Sequence, residues 1–337
     1  MGRNLKEYIG IGLKGMAMGA ADVVPGVSGG TIAFISGIYE ELLRSISNVN
    51  LGLLKTLKQE GLKAAWKQVN GAFLASLFLG IFVSIVSLAK AIKLLLENEP
   101  ILLWSFFFGL VVASIIYIVK QITKWNFIAV AILILGAFLA YYITTLHPLI
   151  SEDSSLLFLF FAGAIAICAM ILPGISGAFI LVLLGAYKPI LAAVNDRDFK
   201  TILAVGLGAI VGLLSFSKIL KWLFANYKNY TLAALTGFII GSLNKIWPWK
   251  LTQSVFDKTT GEIVPFMSVS DLGSLSVFQK QINNFERYKI AMEESVLPLR
   301  YAVENQHIDS QFGIALLLAV AGFLLILGME KLAVRKK

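Results

Sequence analysis

Long apolar stretches separated by short polar segments dominate the chain. Six of them run for about a membrane thickness, at 71–89, 101–119, 127–145, 201–217, 231–247 and 311–329. A helix needs roughly 20 apolar residues to cross the hydrocarbon core of a bilayer. The pattern therefore predicts an all-α polytopic membrane protein with six full transmembrane helices.

Two further apolar regions are each interrupted by a Pro-Gly pair. The segments on either side of each pair are short for a full span. We therefore expect two re-entrant helical hairpins, 8–43 and 156–192, which break at Pro25 and Pro173 and return to the side that they entered from. A backbone break at membrane depth is tolerated only where protein or a polar cavity surrounds it.

The two broken regions are copies of one another. Residues 25–39 align with 173–187, with identical residues at the Pro, Gly, Ser, Gly, Ile, Gly and Tyr positions. The similarity resumes downstream, where residues 80–114 align with 208–242. An internal repeat of this kind determines how the whole fold is interpreted.

The repeat divides the chain into two halves, 1–146 and 147–337. Each contains one hairpin and three full spans, so the second half must be inverted relative to the first. Many secondary transporters are built from such inverted repeats. The segment 250–308 has no counterpart in the first half and is an insertion.

Lys and Arg residues concentrate on one side of this topology, and the formal net charge is +9. The segments 1–7, 44–70 and 330–337 lie on that side, whereas the insertion has roughly balanced charges. By the positive-inside rule, both termini are expected to be cytoplasmic and the insertion external. The basic residues are scattered at helix ends without a basic stripe, so no nucleic-acid partner is indicated.

Both breaks carry groups that favour an anion. Glycines allow the chain to turn and leave backbone N–H groups open, and each outgoing helix directs the positive end of its dipole at the break. Hydroxyl groups add further donors. These residues are Gly26, Gly29, Gly30, Gly174 and Gly177, with Ser28, Thr31 and Ser176. The alternative is that the glycines only permit close helix packing.

Three of the charged residues in or beside the hairpins are candidates for a role in function. Asp22 precedes the first break in an apolar segment, and its counterpart in the second half is Met170. A charge at membrane depth costs about 2.5–3.5 kcal/mol, so Asp22 is expected to face the protein interior. There it would titrate with transport, pair with a cation or cap the hairpin tip. Arg44 follows the first hairpin and Lys188 lies near the end of the second, and both would either attract an anionic headgroup or serve as interfacial anchors.

The segment 26–30 also fits the Gly-x-Ser-x-Gly pattern of serine nucleophiles. A general base is missing, because the only histidines, His147 and His307, fall on the predicted outer side. No metal, nucleotide or dinucleotide motif occurs, and the single Cys168 supports neither a disulfide nor a metal site. The sequence therefore predicts a secondary transporter with no cofactor, and not an enzyme.

The runs 19–40 and 171–177 resemble a prokaryotic membrane family catalogued as domain of unknown function 368. The likeness covers residues 8–330, although the insertion is longer than the family pattern. That family is associated with returning undecaprenyl phosphate, the lipid carrier of cell-wall synthesis, to the cytoplasmic leaflet. The resemblance implies a polyprenyl-phosphate substrate and a location in the cytoplasmic (plasma) membrane of a prokaryote. It also implies a binding site formed by Asp22, Pro25, Gly26, Ser28, Gly29, Gly30, Thr31, Pro173, Gly174, Ser176 and Gly177.

Two main functions remain open. One is the lipid-phosphate flippase that the resemblance implies, and the other is a small-anion or ion-coupled solute transporter that uses the same broken helices. A membrane enzyme or a scaffold is the remaining alternative. A flippase needs a lateral opening to lipid for the prenyl tail, whereas a solute carrier encloses its substrate. In either case, proton or cation coupling would run through Asp22.

Overall fold

The computed structural model describes residues 3–23, 28–146, 155–257, 260, 262–266, 288–304 and 309–334. The described chain is mostly helical. Eight helices come from the first half: α1 (Leu5–Val23), α2 (Gly29–Ile35), α3 (Tyr39–Ser47), α4 (Leu51–Glu60), α5 (Leu62–Gln68), α6 (Gly71–Asn98), α7 (Pro100–Val119) and α8 (Phe127–Thr145).

The second half begins with helices in a similar order. They are α9 (Leu156–Ile171), α10 (Gly177–Leu183), α11 (Tyr187–Asn195), α12 (Phe199–Asn226) and α13 (Lys228–Ser242). A 3-10 turn (Leu243–Ile246), three strands and a short helix, α14 (Pro298–Glu304), lead to the last helix, α15 (Phe312–Val334).

Four helices within the described ranges are long and apolar enough to cross a membrane. They are α6 over Gly71–Leu88, α7, α8 and α12. Two shorter apolar helices cover Leu156–Ile171 and Phe312–Gly328. The predicted span at 231–247 is shorter than expected, because α13 ends at Ser242. The chain continues from Ser242 as a 3-10 turn over Leu243–Ile246.

Residues 1–89 and 115–242 form one compact unit. Within it, α12 packs along α9 and α13 packs along α8. Glycines allow the α13–α8 contact, because a Cβ at Gly237 would lie 2.2 Å from the Leu133 carbonyl oxygen. Small residues commonly let membrane helices approach in this way.

Residues 90–114 and 243–337 form the second compact unit. Its apolar core includes Ile101, Trp249, Leu251, Val296 and Tyr301. The two units do not follow the predicted halves, because 90–114 clusters with the end of the chain. The predicted boundary between 146 and 147 borders residues outside the described ranges, and the division into halves stays a prediction.

Equivalent positions in the two halves make the same close contacts. A Cβ at Gly15 of α1 would lie 2.2 Å from the Leu77 carbonyl oxygen of α6, and one at Gly163 of α9 would lie 2.5 Å from that of Val205 in α12. The turn that follows α2 and the turn that follows α10 also match. Gly37 has a φ of 73° and Gly185 has a φ of 74°.

The insertion differs from the all-α expectation, because part of it forms an antiparallel sheet. The strands are β1 (Lys250–Asp257), β2 (Ile263–Pro265) and β3 (Tyr288–Ser295), in the order β2-β1-β3. Val255 of the central strand pairs with Val264 on one side and Ile290 on the other. Most of the insertion between β2 and β3 lies outside the described residues.

Candidate functional site

The first break is capped by its own side chains. Helix α2 begins at Gly29, and the Ser28 hydroxyl accepts a hydrogen bond from the Gly30 N–H at 3.1 Å. The Asp22 carboxylate accepts one from the Gly29 N–H, with 2.7 Å between N and Oδ1. Two of the N–H groups predicted to be open are therefore occupied. Pro25 and Gly26, which belong to the predicted site, lie outside the described residues.

The second break is hydrogen-bonded to the first half of the chain. Helix α9 ends at Ile171, just before Pro173, and Gly174 adopts a φ of 87°. The Gly174 N–H donates to the Thr31 hydroxyl oxygen at 2.9 Å. Ser176 precedes α10, and its side chain makes no capping hydrogen bond. Ser176 is thus the least committed hydroxyl of the predicted set.

Two more hydrogen bonds join the first hairpin to the end of α9. The Ser28 hydroxyl donates to the Met170 carbonyl oxygen at 3.1 Å, and the Tyr39 hydroxyl donates to that of Ile171 at 3.0 Å. Carbonyl groups at a helix C-terminus lack partners within the helix, so these hydroxyls satisfy them. Residues that flank the first break are thus in direct contact with the end of α9 and with the second break. Tyr39 was not among the predicted site residues, although its match with Tyr187 in the repeat was visible.

Several of the predicted glycines sit where a side chain would collide. A Cβ at Gly30 would lie 2.7 Å from the Ile171 carbonyl oxygen, and one at Gly29 would lie 2.5 Å from Asp22 Oδ2. At Gly177 the nearest atom would be the Ala166 carbonyl oxygen, at 2.7 Å. Close packing therefore accounts for these glycines, and a direct role in binding substrate stays a prediction.

The environment of Ser28 does not suit a nucleophile. The side chain is 1% exposed, and its hydroxyl donates to a main-chain carbonyl group. Both histidines lie outside the described ranges. Within those ranges, no group of three or more His, Cys, Asp or Glu side chains could hold a metal ion.

A cavity of about 510 Å³ lies beside the end of the first hairpin that is remote from the break. Arg44, predicted from the sequence to attract a headgroup, lines it together with Arg3, Asn48, Asn70, Tyr117 and Gln121. No local sequence pattern marks these other residues, because they come from distant parts of the chain. The side chain of Lys188 is not among those described.

Glu41 in this cavity is held by two donors. The Arg3 guanidinium binds both carboxylate oxygens, at 2.6 and 2.7 Å, and Asn70 donates to one of them at 2.7 Å. Burial alone would raise the pKa of Glu41, but the hydrogen bonds from Arg3 and Asn70 outweigh it and lower the pKa. Glu41 is therefore anionic at neutral pH and holds Arg3 in place.

Known proteins are similar to this chain over most of its length. Residues 18–264 match a family model described as undecaprenyl phosphate translocase-like. A polyprenyl-phosphate transporter of Vibrio cholerae is 46% identical over 327 residues, which is 97% of each chain. A polyprenyl-phosphate transporter of Staphylococcus aureus is 32% identical over 260 residues, covering 72% of this chain and 87% of that protein. No solved structure matches significantly.

These matches cover most of the chain and include the first break, and they confirm the resemblance inferred from the Pro-Gly motifs. Together with the four long apolar helices, they identify a membrane protein. The chain belongs to the undecaprenyl phosphate translocase-like family.

Proposed function

We propose that this chain is a secondary transporter, not an enzyme, that moves polyprenyl phosphate such as undecaprenyl phosphate across the cytoplasmic membrane. The observation that carries the proposal is the direct contact between the two broken helices through the Ser28 and Thr31 hydroxyls. We call the polar region where these helices meet, at Asp22, Ser28, Thr31, Met170 and Gly174, the junction. A phosphate headgroup could pass along this polar region of an apolar protein while the prenyl tail stays in lipid.

The architecture proposed for this function has two inverted repeats, each a re-entrant hairpin followed by three spans. The equivalent contacts of Gly15 and Gly163 support the repeat, because they join corresponding helices at corresponding positions. In inverted-repeat transporters, discontinuous helices meet near the midplane and form the substrate site. The junction of the two breaks would occupy that place.

Binding of a headgroup at this junction would require a change of partners. The Asp22 carboxylate already occupies the N-terminus of α2, where a phosphate group would compete for the same Gly29 N–H. Two anions so close would repel each other. Asp22 should therefore be protonated or paired with a cation when the substrate binds, which would couple transport to a proton or cation gradient.

Reconstituted liposomes test the proposed substrate. We expect the protein to accelerate the movement of labelled polyprenyl phosphate between leaflets, and to leave uncharged polyprenol unaffected. Uptake of inorganic phosphate or another small anion without lipid movement would support a solute transporter instead.

Replacing Asp22 with asparagine should remove the pH dependence of transport. The asparagine Oδ1 can still accept the Gly29 hydrogen bond, so the hairpin should fold while the titrating charge is lost. Asp198→Asn is the matched control, because Asp198 also caps a helix N-terminus but lies outside the junction. Transport rates at two pH values provide the measurement. An Asp22→Asn protein with the parent's rate and pH response would contradict the coupling role.

Cysteine labelling tests the proposed orientation. In a Cys168→Ala background, Glu262→Cys places a thiol in the insertion and Lys55→Cys places one in the basic segment 44–70. An impermeant maleimide applied outside intact cells should label the first variant and should label the second only after permeabilisation. Labelling of the Lys55→Cys variant in intact cells, with labelling of the Glu262→Cys variant only after permeabilisation, would contradict the proposed orientation.

A further inference from the structure

Both polar and apolar side chains line the cavity beside the first hairpin. The polar ones include the basic and amide residues Arg3, Arg44, Asn48, Asn70 and Gln121 and the acidic residues Glu40 and Glu41. Phe34 and Leu232 are among the apolar ones. A ligand that uses both kinds of lining is an amphiphile with a polar head.

The charges around the cavity favour an anionic head. Glu41 is paired with Arg3, and Glu40 is paired with Lys228 at 2.8 Å. Arg44 is exposed to the cavity and forms no ion pair with any described carboxylate, although it acts on Glu41 through space. Among the described residues that line the cavity, the two acidic side chains are thus paired with other cations, and the guanidinium of Arg44 is a positive charge without an ion-pair partner.

The cavity is also linked to the junction between the two breaks. Tyr39 lines the cavity, and its hydroxyl donates to the Ile171 carbonyl oxygen at the end of α9. The ring of Tyr39 packs against Phe34 and Phe224, with centroid distances of 5.0 and 6.0 Å. One side chain therefore contacts both the cavity and the second break.

We propose that this cavity is a receiving or release site for the monophosphate headgroup of the lipid, held by Arg44 and by Arg3 after exchange with Glu41. This inference rests on the proposed function and adds a second binding site for the headgroup, apart from the junction between the two breaks. A volume of about 510 Å³ lies within the usual range of small-molecule sites, roughly 300–1,000 Å³. It can hold a headgroup and the first part of a prenyl chain, while the rest of a long tail remains in lipid.

Arginine is well suited to binding a phosphate group. Its planar guanidinium can bind two oxygen atoms of a phosphate group at once. Arg3 already makes such a two-point contact with the Glu41 carboxylate, which keeps the guanidinium oriented toward the cavity. A phosphate group would take the place of the Glu41 carboxylate on Arg3, and the displaced carboxylate would keep the hydrogen bond from Asn70 while repelling the phosphate.

Binding of short soluble probes to the full-length protein in detergent tests the site. Geranyl phosphate, inorganic phosphate and geraniol are titrated separately by calorimetry. We expect geranyl phosphate to bind more tightly than inorganic phosphate and geraniol to show no binding. Equal affinity for inorganic phosphate and geranyl phosphate would indicate a site for free phosphate and would overturn the assignment to the lipid.

Two variants with opposite expected effects separate binding from folding. Arg44→Gln should weaken geranyl phosphate binding roughly three- to tenfold, because it removes a charge-assisted contact at a partly exposed position. Glu41→Gln should tighten binding a few-fold, since it removes a competing anion beside Arg3. Lys55→Gln, in an exposed helix outside the cavity, is the charge control and should leave binding unchanged.

The same variants are then measured in the liposome assay. Slower polyprenyl phosphate movement with Arg44→Gln, at a lipid concentration below saturation, supports the site. Parent-level binding and transport in Arg44→Gln would overturn it while leaving the proposed function intact. Weakening by both Arg44→Gln and Glu41→Gln would also overturn it. Failure of the parent protein to move polyprenyl phosphate would instead reject the proposed function.

Discussion

Replacement of Gly30 with alanine is expected to reduce transport by at least about tenfold. The added methyl group would lie 2.7 Å from the Ile171 carbonyl oxygen and 3.0 Å from that of Met170. Both are main-chain atoms at the end of α9, so they cannot move aside as a flexible side chain would. Overpacking of this kind typically costs about 1–3 kcal/mol. Here it would force apart the two breaks, whose contact carries the proposed function.

Gly10→Ala is the matched control for this substitution. Gly10 lies in α1 of the same hairpin, and no atom lies within 4 Å of the position that its Cβ would take. Transport in liposomes and thermal unfolding in detergent are measured for both variants. Gly10→Ala should behave as the parent protein does. A Gly30→Ala protein that folds and transports at the parent rate would show that the close contact is not required.

Replacement of Thr31 with valine should have the second large effect. Thr31 is 1% exposed, and its hydroxyl oxygen accepts the only hydrogen bond assigned to the Gly174 N–H among the described residues. Valine has nearly the same shape but cannot accept that bond. A buried N–H without a partner costs about 1–3 kcal/mol, and the part-buried Gly174 N–H should fall at the lower end of that range. We expect a corresponding loss of unfolding free energy and a roughly tenfold or greater loss of transport.

Thr145→Val controls for the loss of a hydroxyl group. Thr145 lies on an exposed part of α8, and its hydroxyl donates only to the Tyr142 carbonyl oxygen of the same helix. Unfolding by denaturant and lipid movement are measured side by side. If Thr31→Val and Thr145→Val are equally stable and equally active, the bond between Thr31 and Gly174 has no special role.

The positions of the breaks could be predicted from the sequence because proline and glycine act locally. Pro173 stops α9 at Ile171, and Gly174 can take a positive φ at little cost because it has no Cβ. The partners across the junction could not be predicted in the same way. The Ser28 hydroxyl donates to the main-chain carbonyl oxygen of Met170. Because every residue has such a carbonyl group, the identity of residue 170 does not reveal this contact. The local sequence pattern indicates only that hydroxyl and N–H donors are present. Their partners depend on how distant segments pack in the fold.

The sheet in the insertion could not be predicted from the sequence either, because it depends on pairing between distant segments. Strand β1 pairs with β3 across a long intervening segment, and its register shifts between Thr252 and Ser254. A bulge of this kind interrupts the alternation of buried and exposed positions that marks a strand in the sequence. Apolar membrane helices carry a stronger local signal, and α6, α7, α8 and α12 fall where the hydrophobic pattern predicts them.

Access to Ser176 during transport is the most direct test of the claim that the headgroup passes the junction between the two breaks. Ser176→Cys in a Cys168→Ala background provides a single thiol at a half-buried position whose side chain makes no capping bond. A small soluble thiol reagent is applied during transport in liposomes, with and without excess polyprenyl phosphate. We predict that the reagent stops transport and that polyprenyl phosphate, but not polyprenol, slows the modification. Full modification with unchanged transport, or continued transport with a thiol that the reagent never reaches, would contradict the account.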